Sequence, residues 1–393
     1  MIRFTAGKGT FPRVLLPVLA CFALSLGISL PVTALLVRAG HRLGALDSPG
    51  SPGHAKTLRK VPNIGGIAIV AGAVGPLLVA SLAVLAAPDL VIRLVPAAEP
   101  FLPRFHDSAI TGLAIAGGAI VLHLVGLVDD RRALGALAKF LPQLAVALGI
   151  AWIADVRLFS FLEDFGPVGA AASVALTVLW IVAIVNALNF TDNMDGLAGG
   201  LATIAALVMI AATVLGKQWF VASAFAMVAG ATLGFLAFNR PPARIFMGDG
   251  GSLPLGFLLA TLVARTTFVD IEKPDYALGT AWYGTLMPLL VLAIPIYDLV
   301  AVTAVRLAQG RSPLVGGEEH FSHRLVRLGL SRPEAVGVIL MLAAVLGISG
   351  IFLGSLAPWQ AVLVGVQATL VLTTIATLEF AVHGRKRDGG APK

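Results

Sequence analysis

Long apolar runs alternate with short polar ones along almost the whole chain, and the apolar runs have the length of a bilayer crossing. A helix rises about 1.5 Å per residue, so roughly 20 largely apolar residues cross the hydrocarbon core. Eleven runs answer that description, near 14–37, 64–86, 109–128, 138–154, 171–188, 197–215, 220–238, 252–268, 282–306, 334–356 and 360–382. Two of them, 138–154 and 252–268, are short and complete a crossing only by drawing on flanking polar residues. The pattern predicts an all-α, polytopic integral membrane protein. It forms one helical domain over 1–393 that closes in a basic tail at 383–393. Stretches between spans run to fewer than thirty residues, which leaves no room for a soluble domain, and no internal repeat stands out.

Polar residues gather in five clusters between the spans: His54–Gly66, Asp129–Lys139, Asn186–Gly196, Arg244–Ser252 and His320–Leu325. Alternating sides along eleven spans puts all five on one face, which is also the face of the C-terminus. Of the 28 Lys and Arg residues, 19 fall there, counting Arg306 and the tail residues Arg385, Lys386, Arg387 and Lys393. Positive charge marks the cytoplasmic side of a membrane protein. The clusters and the C-terminus are therefore expected in the cytoplasm and the N-terminus in the periplasm. Arg3, Lys8 and Arg13 pull the other way, but Arg38, Arg42, Lys56, Arg59 and Lys60 outnumber them. A cleaved signal peptide is not expected, because the first run is long for one and no A-x-A site closes it.

Composition changes this picture little. Charged residues make up 12% of the chain, about half the share usual in soluble domains. The formal net charge of +7 sits at span ends, which reads as topological anchoring and not as nucleic-acid binding. One cysteine, Cys21, excludes a disulfide framework and a Cys-based zinc site.

The clusters carry candidate chemistry. Asp129 and Asp130 end the third span at the water boundary, where adjacent carboxylates bind a divalent cation, take a proton or terminate a helix. Lys139, ten residues on, is placed to meet a phosphate. Asn186, Asn189, Asp192 and Asp195 recur at every third position, and residues three apart are neighbours on a helix surface. Oxygen ligands of this kind suit Mg²⁺, and Mn²⁺ accepts them too. Asp249 lies among Gly248, Gly250 and Gly251 before Ser252, which suits either close backbone approach to an anion at a helix N-terminus or helix capping. His320 and His323 beside Arg324 and Arg327 favour phosphate contact over a metal pair. Asp298 lies inside the ninth span, as a support behind the site or a partner for an arginine. No P-loop, nucleophile elbow or H-E-x-x-H pair occurs. The inventory is that of metal-assisted phosphate chemistry at a membrane face.

Taken in order, the motifs resemble those of the polyprenyl-phosphate N-acetylhexosamine-1-phosphate transferases (glycosyltransferase family 4) from about Asp47 to Leu330. The resemblance rests on Pro62–Gly66 (P-x-x-G-G), on Asp129, Asp130, Leu134, Lys139 and Phe140, on Asn186–Ala198, on Phe246–Ser252 (F-M-G-D-x-G-S) and on His320–Leu325. Asn193 stands where glycine is usual in that family. The resemblance implies transfer of a HexNAc-1-phosphate from a UDP-sugar to undecaprenyl phosphate, with release of UMP, in a bacterial inner membrane. It implies Asp249 as a ligand of Mg²⁺, helped by Asn189. Asp129 would be a base or an orienter of the lipid phosphate, with Asp130 as its partner, and Asp192 and Asp195 would organise nucleotide or metal. Lys56, Lys139, Asn186, His320, His323 and Arg324 would bind substrate. The sequence Glu318-Glu319-His320-Phe321-Ser322-His323 is more like the UDP-GlcNAc branch than the His-rich loop of the phospho-MurNAc-pentapeptide transferases, which remain the nearest alternative. A secondary transporter of a nucleotide sugar or lipid is the distant one, disfavoured because transporters place polar sites near the midplane. A homodimer is left open.

Overall fold

The computed structural model describes residues 11–42, 60–94, 96, 99, 102–270, 276–312, 317 and 319–388. Among the described residues there is no β-strand; the chain is a bundle of helices joined by short connections. In order they are α1 (Phe11–Arg42), α2 (Gly66–Ala86), α3 (Pro88–Leu94), α4 (Leu102–Arg131), α5 (Ala136–Ile153), α6 (Gly166–Thr191) and α7 (Leu197–Leu215). There follow α8 (Trp219–Asn239), α9 (Asp249–Arg265), α10 (Met287–Val291), α11 (Ala293–Ala308), α12 (Phe321–Arg327), α13 (Arg332–Gly350) and α14 (Pro358–Asp388).

Nine helices among the described residues are long and apolar enough to cross a membrane, or ten if α10 and α11 count as one bent span. This makes the chain a multi-pass membrane protein. The ninth apolar run was expected as one helix, 282–306, and here the structure differs. A 3₁₀ turn at Trp282–Leu286 leads into α10, and the chain then turns through 70° into α11. Pro295 has no N–H to return to Val291, so an unbroken helix would lose a bond at this joint. Leu292, at φ −108° and ψ 19°, absorbs the bend.

The short run near 252–268 begins three residues earlier than its hydropathy predicts, at Asp249, and the resulting α9 has 17 residues. It is the central helix. Every residue from Gly250 to Ala264 is buried, enclosed by α2, α4, α6, α7 and α8. The Trp180 indole N–H donates to the Ala260 carbonyl at 3.1 Å, tying α6 to α9 through a polar group that lipid could not satisfy. Three buried threonines follow the same rule. Thr203, Thr213 and Thr232 return their hydroxyls to carbonyls one turn back, and Thr203 also bonds Thr232 across the α7–α8 seam.

Between apolar helices in lipid there is little hydrophobic drive, so contact depends on close packing. Gly230 and Gly234 on α8, four residues apart, let the backbone of α1 lie against them, at Phe22–Leu26 and Leu30 respectively. Ser29 of α1 closes the seam with a 2.7 Å bond to the Ala231 carbonyl. A methyl at Gly230 would strike the Phe22 carbonyl, whereas a methyl at Gly75 meets nothing within 4 Å. Gly230→Ala is therefore expected to destabilise the fold by about 1–3 kcal/mol through overpacking. Gly75→Ala should be neutral, or stabilising by up to about 1 kcal/mol. Thermal unfolding of the two variants in detergent checks the contrast.

Candidate active site

The site begins where α4 ends and α9 starts. At that junction α9 is capped by a residue of another helix. Gly248, the residue before α9, makes no side-chain cap. Instead Asp130, in the last turn of α4, takes the first two N–H groups, accepting from Asp249 N at Oδ1 and from Gly250 N at Oδ2, both at 2.9 Å. A carboxylate at a helix N-terminus satisfies orphan donors and complements the helix dipole. Asn63 adds a third donor, Nδ2 to Asp130 Oδ1 at 3.1 Å. The approach requires small residues. Gly248 has φ +66°, and a side chain there would meet the Asp130 carboxylate. Gly126 on α4 and Gly66 on α2 face the backbone at Asp249–Gly251, where any Cβ would clash. The Pro62–Gly66 segment is pinned to the turn before α9, with Phe246 N donating to the Pro62 carbonyl at 2.8 Å and Gly65 N to the Phe246 carbonyl at 2.9 Å.

Docking α9 on Asp130 brings Asp249 beside Asp129. The Lys139 ammonium, from the first turn of α5, donates to Asp129 Oδ2 and Asp249 Oδ2, each at 3.1 Å. The second oxygen of Asp129 accepts from Leu134 N at 2.6 Å. On the far side Asn189, near the end of α6, donates Nδ2 to Asp249 Oδ1 and to Ser252 Oγ, both at 2.9 Å. Ser252 thus serves Asn189 and is no cap. Two carboxyl groups from two helices meet at one ammonium, with the Asn189 amide on Asp249 and Asp130 holding the start of α9 behind them.

The last cluster joins this centre through Phe190, the residue after Asn189. The His320 ring packs edge-on against Phe190 at 5.6 Å, and the Arg306 guanidinium lies 5.7 Å from the same ring. His323 lies 6.4 Å from His320. Ser322 donates to Asn193 Oδ1 at 2.6 Å. Glu319 meets Arg311 at 2.7 Å and Arg306 at 3.5 Å. Burial pushes its carboxyl up, but these two arginines outweigh that and hold it below the usual carboxylate range. Arg324 is buried among these groups, at 5% exposure.

The expected residues divide by location. Asp129, Asp130, Lys139, Asn189 and Asp249 meet directly. Asn186, one turn before Asn189, turns away and donates to Gln143 Oε1 at 2.7 Å and to the Val182 carbonyl at 2.8 Å. Asp195 accepts from Ala243 N at 2.9 Å and so holds the loop that leads into α9. Asp192 follows α6 directly, with its N–H on the Asn189 carbonyl at 3.2 Å. Lys56 and His54 lie outside the described residues. Sequence reasoning missed Asn63, Gln143 and His123, the last of which bonds the Gly250 carbonyl through its ring. A signal existed for two of them: Gln143 stands four residues after Lys139, and His123 is a lone ionisable group within an apolar span.

An apolar groove of about 840 Å³ opens beside this centre. One wall is a stripe on α5, Phe140, Leu144, Leu148 and Trp152, spaced by four; the other is the facing side of α6 from Pro167 to Val182. Its near end lies next to Lys139 and Gln143 in sequence, and its far end reaches Arg157.

Residues 112–267 match the family model for glycosyl transferase family 4. The chain is 30% identical over 346 residues to the probable undecaprenyl-phosphate N-acetylglucosaminyl 1-phosphate transferase of Bacillus subtilis (strain 168), covering 87% of this chain and 86% of that protein. The chain belongs to this family. It is also 30% identical to the decaprenyl-phosphate N-acetylglucosaminephosphotransferase of Mycolicibacterium smegmatis, over 83% of this chain and 81% of that one. A phospho-N-acetylmuramoyl-pentapeptide-transferase of Desulforudis audaxviator is 30% identical over a shorter stretch, 62% of this chain. The family model spans α4 to α9, and so includes both halves of the Asp130–α9 junction.

Within this family-4 site, Asp130→Asn puts an amide where two backbone N–H groups need acceptors and leaves at least one of them unmet. A buried unmet donor costs about 1–3 kcal/mol, and the shift it forces on Asp249 is expected to lower turnover at least about 100-fold. Asn63→Ala removes one donor of three and should cost about tenfold or less, on the scale of one hydrogen bond. Initial rates of the two variants, with detergent melting curves as the folding control, check the ranking.

Proposed function

We propose that this protein transfers a HexNAc-1-phosphate, in the first instance GlcNAc-1-phosphate, from a UDP-sugar to undecaprenyl phosphate. The setting is the cytoplasmic face of a bacterial inner membrane, with α9, the eighth span in chain order, bringing the spans to eleven, and the product begins a cell-envelope polysaccharide. An oxygen of the lipid phosphate attacks the β-phosphorus of the donor. The bond from that phosphorus to the bridging oxygen breaks, UMP departs, and the lipid carries the sugar diphosphate. One observation carries the reading: Asp129, Asp130, Lys139, Asn189 and Asp249, from four helix ends, meet beside an apolar groove.

The roles follow from which atoms are already engaged. Lys139, held between two carboxylates, is the cation offered to the phosphates. Asn189 has spent its NH₂ on Asp249 and Ser252, so its oxygen is the atom left for a ligand. Asp249, with that oxygen and Asp129 nearby, would hold Mg²⁺. When bound, the ion would supply charge neutralisation for the diphosphate. Among the described residues no group of three or more His, Cys, Asp or Glu side chains is placed to hold a metal ion, and Mg²⁺ does not need such a group. One or two carboxylates with water and substrate phosphates suffice, and a carboxylate pair already spaced around an ammonium suits a cation. A phosphate monoester is largely ionised near neutral pH, so Asp129 is better assigned to orienting the lipid phosphate than to removing a proton. Asp130 and Asp195 are positioning residues in this scheme. Asp192 faces the nucleotide, and His320, His323 and Arg324 face the sugar or its phosphates.

The groove supports a lipid acceptor. Its α6 wall extends about 22 Å at 1.5 Å per residue, a large part of the roughly 30 Å hydrocarbon core. Its chemistry suits a prenyl chain whose phosphate ends near Lys139.

Purified protein with Mg²⁺ and undecaprenyl phosphate is expected to release UMP from UDP-GlcNAc and to stop when EDTA removes the metal. Release from UDP-MurNAc-pentapeptide instead would select the peptidoglycan branch, and no lipid-dependent UMP from a panel of UDP-HexNAc donors would overturn the reading. Ala171→Trp, or the milder Ala175→Leu, narrows the groove. Either should raise the KM for the lipid by about tenfold, the equivalent of about 1.4 kcal/mol, and leave the KM for the UDP-sugar unchanged.

A further inference from the structure

Asp298 is a carboxylate that the reaction scheme does not use. It sits on α11, six residues past the break at Leu292, and is 3% exposed. Both oxygens are engaged by the start of α12: Oδ2 lies 2.8 Å from His320 Nδ1, and Oδ1 accepts from Phe321 N at 2.6 Å. His320 occupies the position before α12 with extended backbone, φ −67° and ψ 150°. The carboxylate therefore does two separable things, capping a short helix with one oxygen and holding an imidazole with the other.

The imidazole is constrained on its other sides as well. Phe190 meets it edge-on at 82°, and the Ser322–Asn193 bond ties the neighbouring turn to the loop after α6. Against a carboxylate oxygen, Nδ1 must carry its hydrogen. The other ring nitrogen, Nε2, is then the edge left for a ligand. A histidine held this way has its tautomer set by the group behind it.

We propose that Asp298 is a positioning residue that fixes His320 with hydrogen on Nδ1, so that Nε2 is the atom offered to the phosphate or sugar of the donor nucleotide. The proposal rests on the reading above, in which the last loop contacts the donor.

Asp298→Asn separates the two jobs. Its amide oxygen can still accept from Phe321 N, while its NH₂ faces Nδ1 and forces the hydrogen to Nε2. In serine proteases the equivalent exchange leaves the geometry intact and lowers kcat about 10⁴-fold through the wrong tautomer. Here kcat is expected to fall at least about 100-fold, within the range for a mispositioned acid–base or hydrogen-bonding group, with the KM for undecaprenyl phosphate unchanged. Asp298→Glu, which keeps a carboxylate, should recover part of the loss. In a His320→Gln background Asp298→Asn should cost less than about twofold further, since the group it acts through is gone. The tautomer is read without substrate, from ¹⁵N NMR of histidine-labelled protein in detergent at alkaline pH. The wild type should show Nδ1–H at His320 and Asp298→Asn should show Nε2–H. The same tautomer in both, or an equal loss from Asp298→Asn with and without His320, would reduce Asp298 to a helix cap and overturn the proposal. A wild type with the expected tautomer but no lipid-dependent UMP from any donor would sink the transferase reading and, with it, the assignment of Nε2 to that substrate.

Discussion

The carboxylate of Asp130 on the first two N–H groups of α9 is the joint on which the site is built. It sets where the central helix begins, and therefore where Asp249 stands. Because Asp129 precedes Asp130 on the same last turn of α4, the contact that docks α9 also carries Asp129 toward Asp249. Lys139 then has one place to go, between the two carboxylates. The joint is possible only because Gly66, Gly126 and Gly248 let three backbones and a carboxylate share a space that a single methyl would fill. Capping from a neighbouring helix differs from self-capping in one respect that matters. A side chain within the first turn would satisfy the same N–H groups but would say nothing about where α4 must lie.

Lipid as solvent explains the rest of the arrangement. A central helix of 17 residues is short for a crossing, but α9 is enclosed by other helices and its polar start is met by Asp130 and Asn189 in place of water. The break between α10 and α11 has the same logic. It forfeits helical bonds within an apolar region, which is tolerated where neighbouring protein covers the gap. In return α11 leaves the bend with Asp298 aimed at the start of α12. Two elements too short or too bent for an ideal crossing are thus the two that carry Asp249 and Asp298.

How much of this was readable follows from contrast. Carboxylates and amides stand out in a chain this apolar, so the clusters at Asp129–Lys139, Asn186–Gly196 and Arg244–Ser252 were visible, and alternating spans brought them to one face. The direct meeting of Asp129, Lys139, Asn189 and Asp249 agrees with that expectation. Spacing alone was a poorer guide to individual duty. Asn186 and Asp195 belong to the same three-residue rhythm as Asn189, but each three-residue step falls about 60° short of a full helical turn, and α6 ends at Thr191, before Asp195. Asp195 then answers to the Ala243 N–H and Asn186 to Gln143. The bend at Leu292 was not legible because hydropathy runs through it unchanged; Pro295 marked a weak point without giving an angle. Asn63 was hidden for the opposite reason, as one polar residue beside a glycine pair, where its partner lies 67 positions away.

Asn193 tests how far a departure from a family's usual pattern can be understood from geometry. A glycine there would leave Phe190 and the start of α12 to be held together by ring contacts alone. The asparagine fills the gap with bonds, Nδ2 to the Phe190 carbonyl at 2.6 Å and Oδ1 from Ser322 at 2.6 Å. Asn189, which holds Asp249, and His320, which answers to Asp298, then sit on two turns stitched by a single side chain. A substitution that lengthened or removed that side chain would move the two turns relative to each other without touching a carboxylate. In the proposed scheme, where the last loop contacts the donor, the coupling bears on how the donor is held. Asp129 and Lys139 lie on α4 and α5 and are bonded to each other, so Asn189, through its bond to Asp249, is the link by which such a movement would reach the carboxylates.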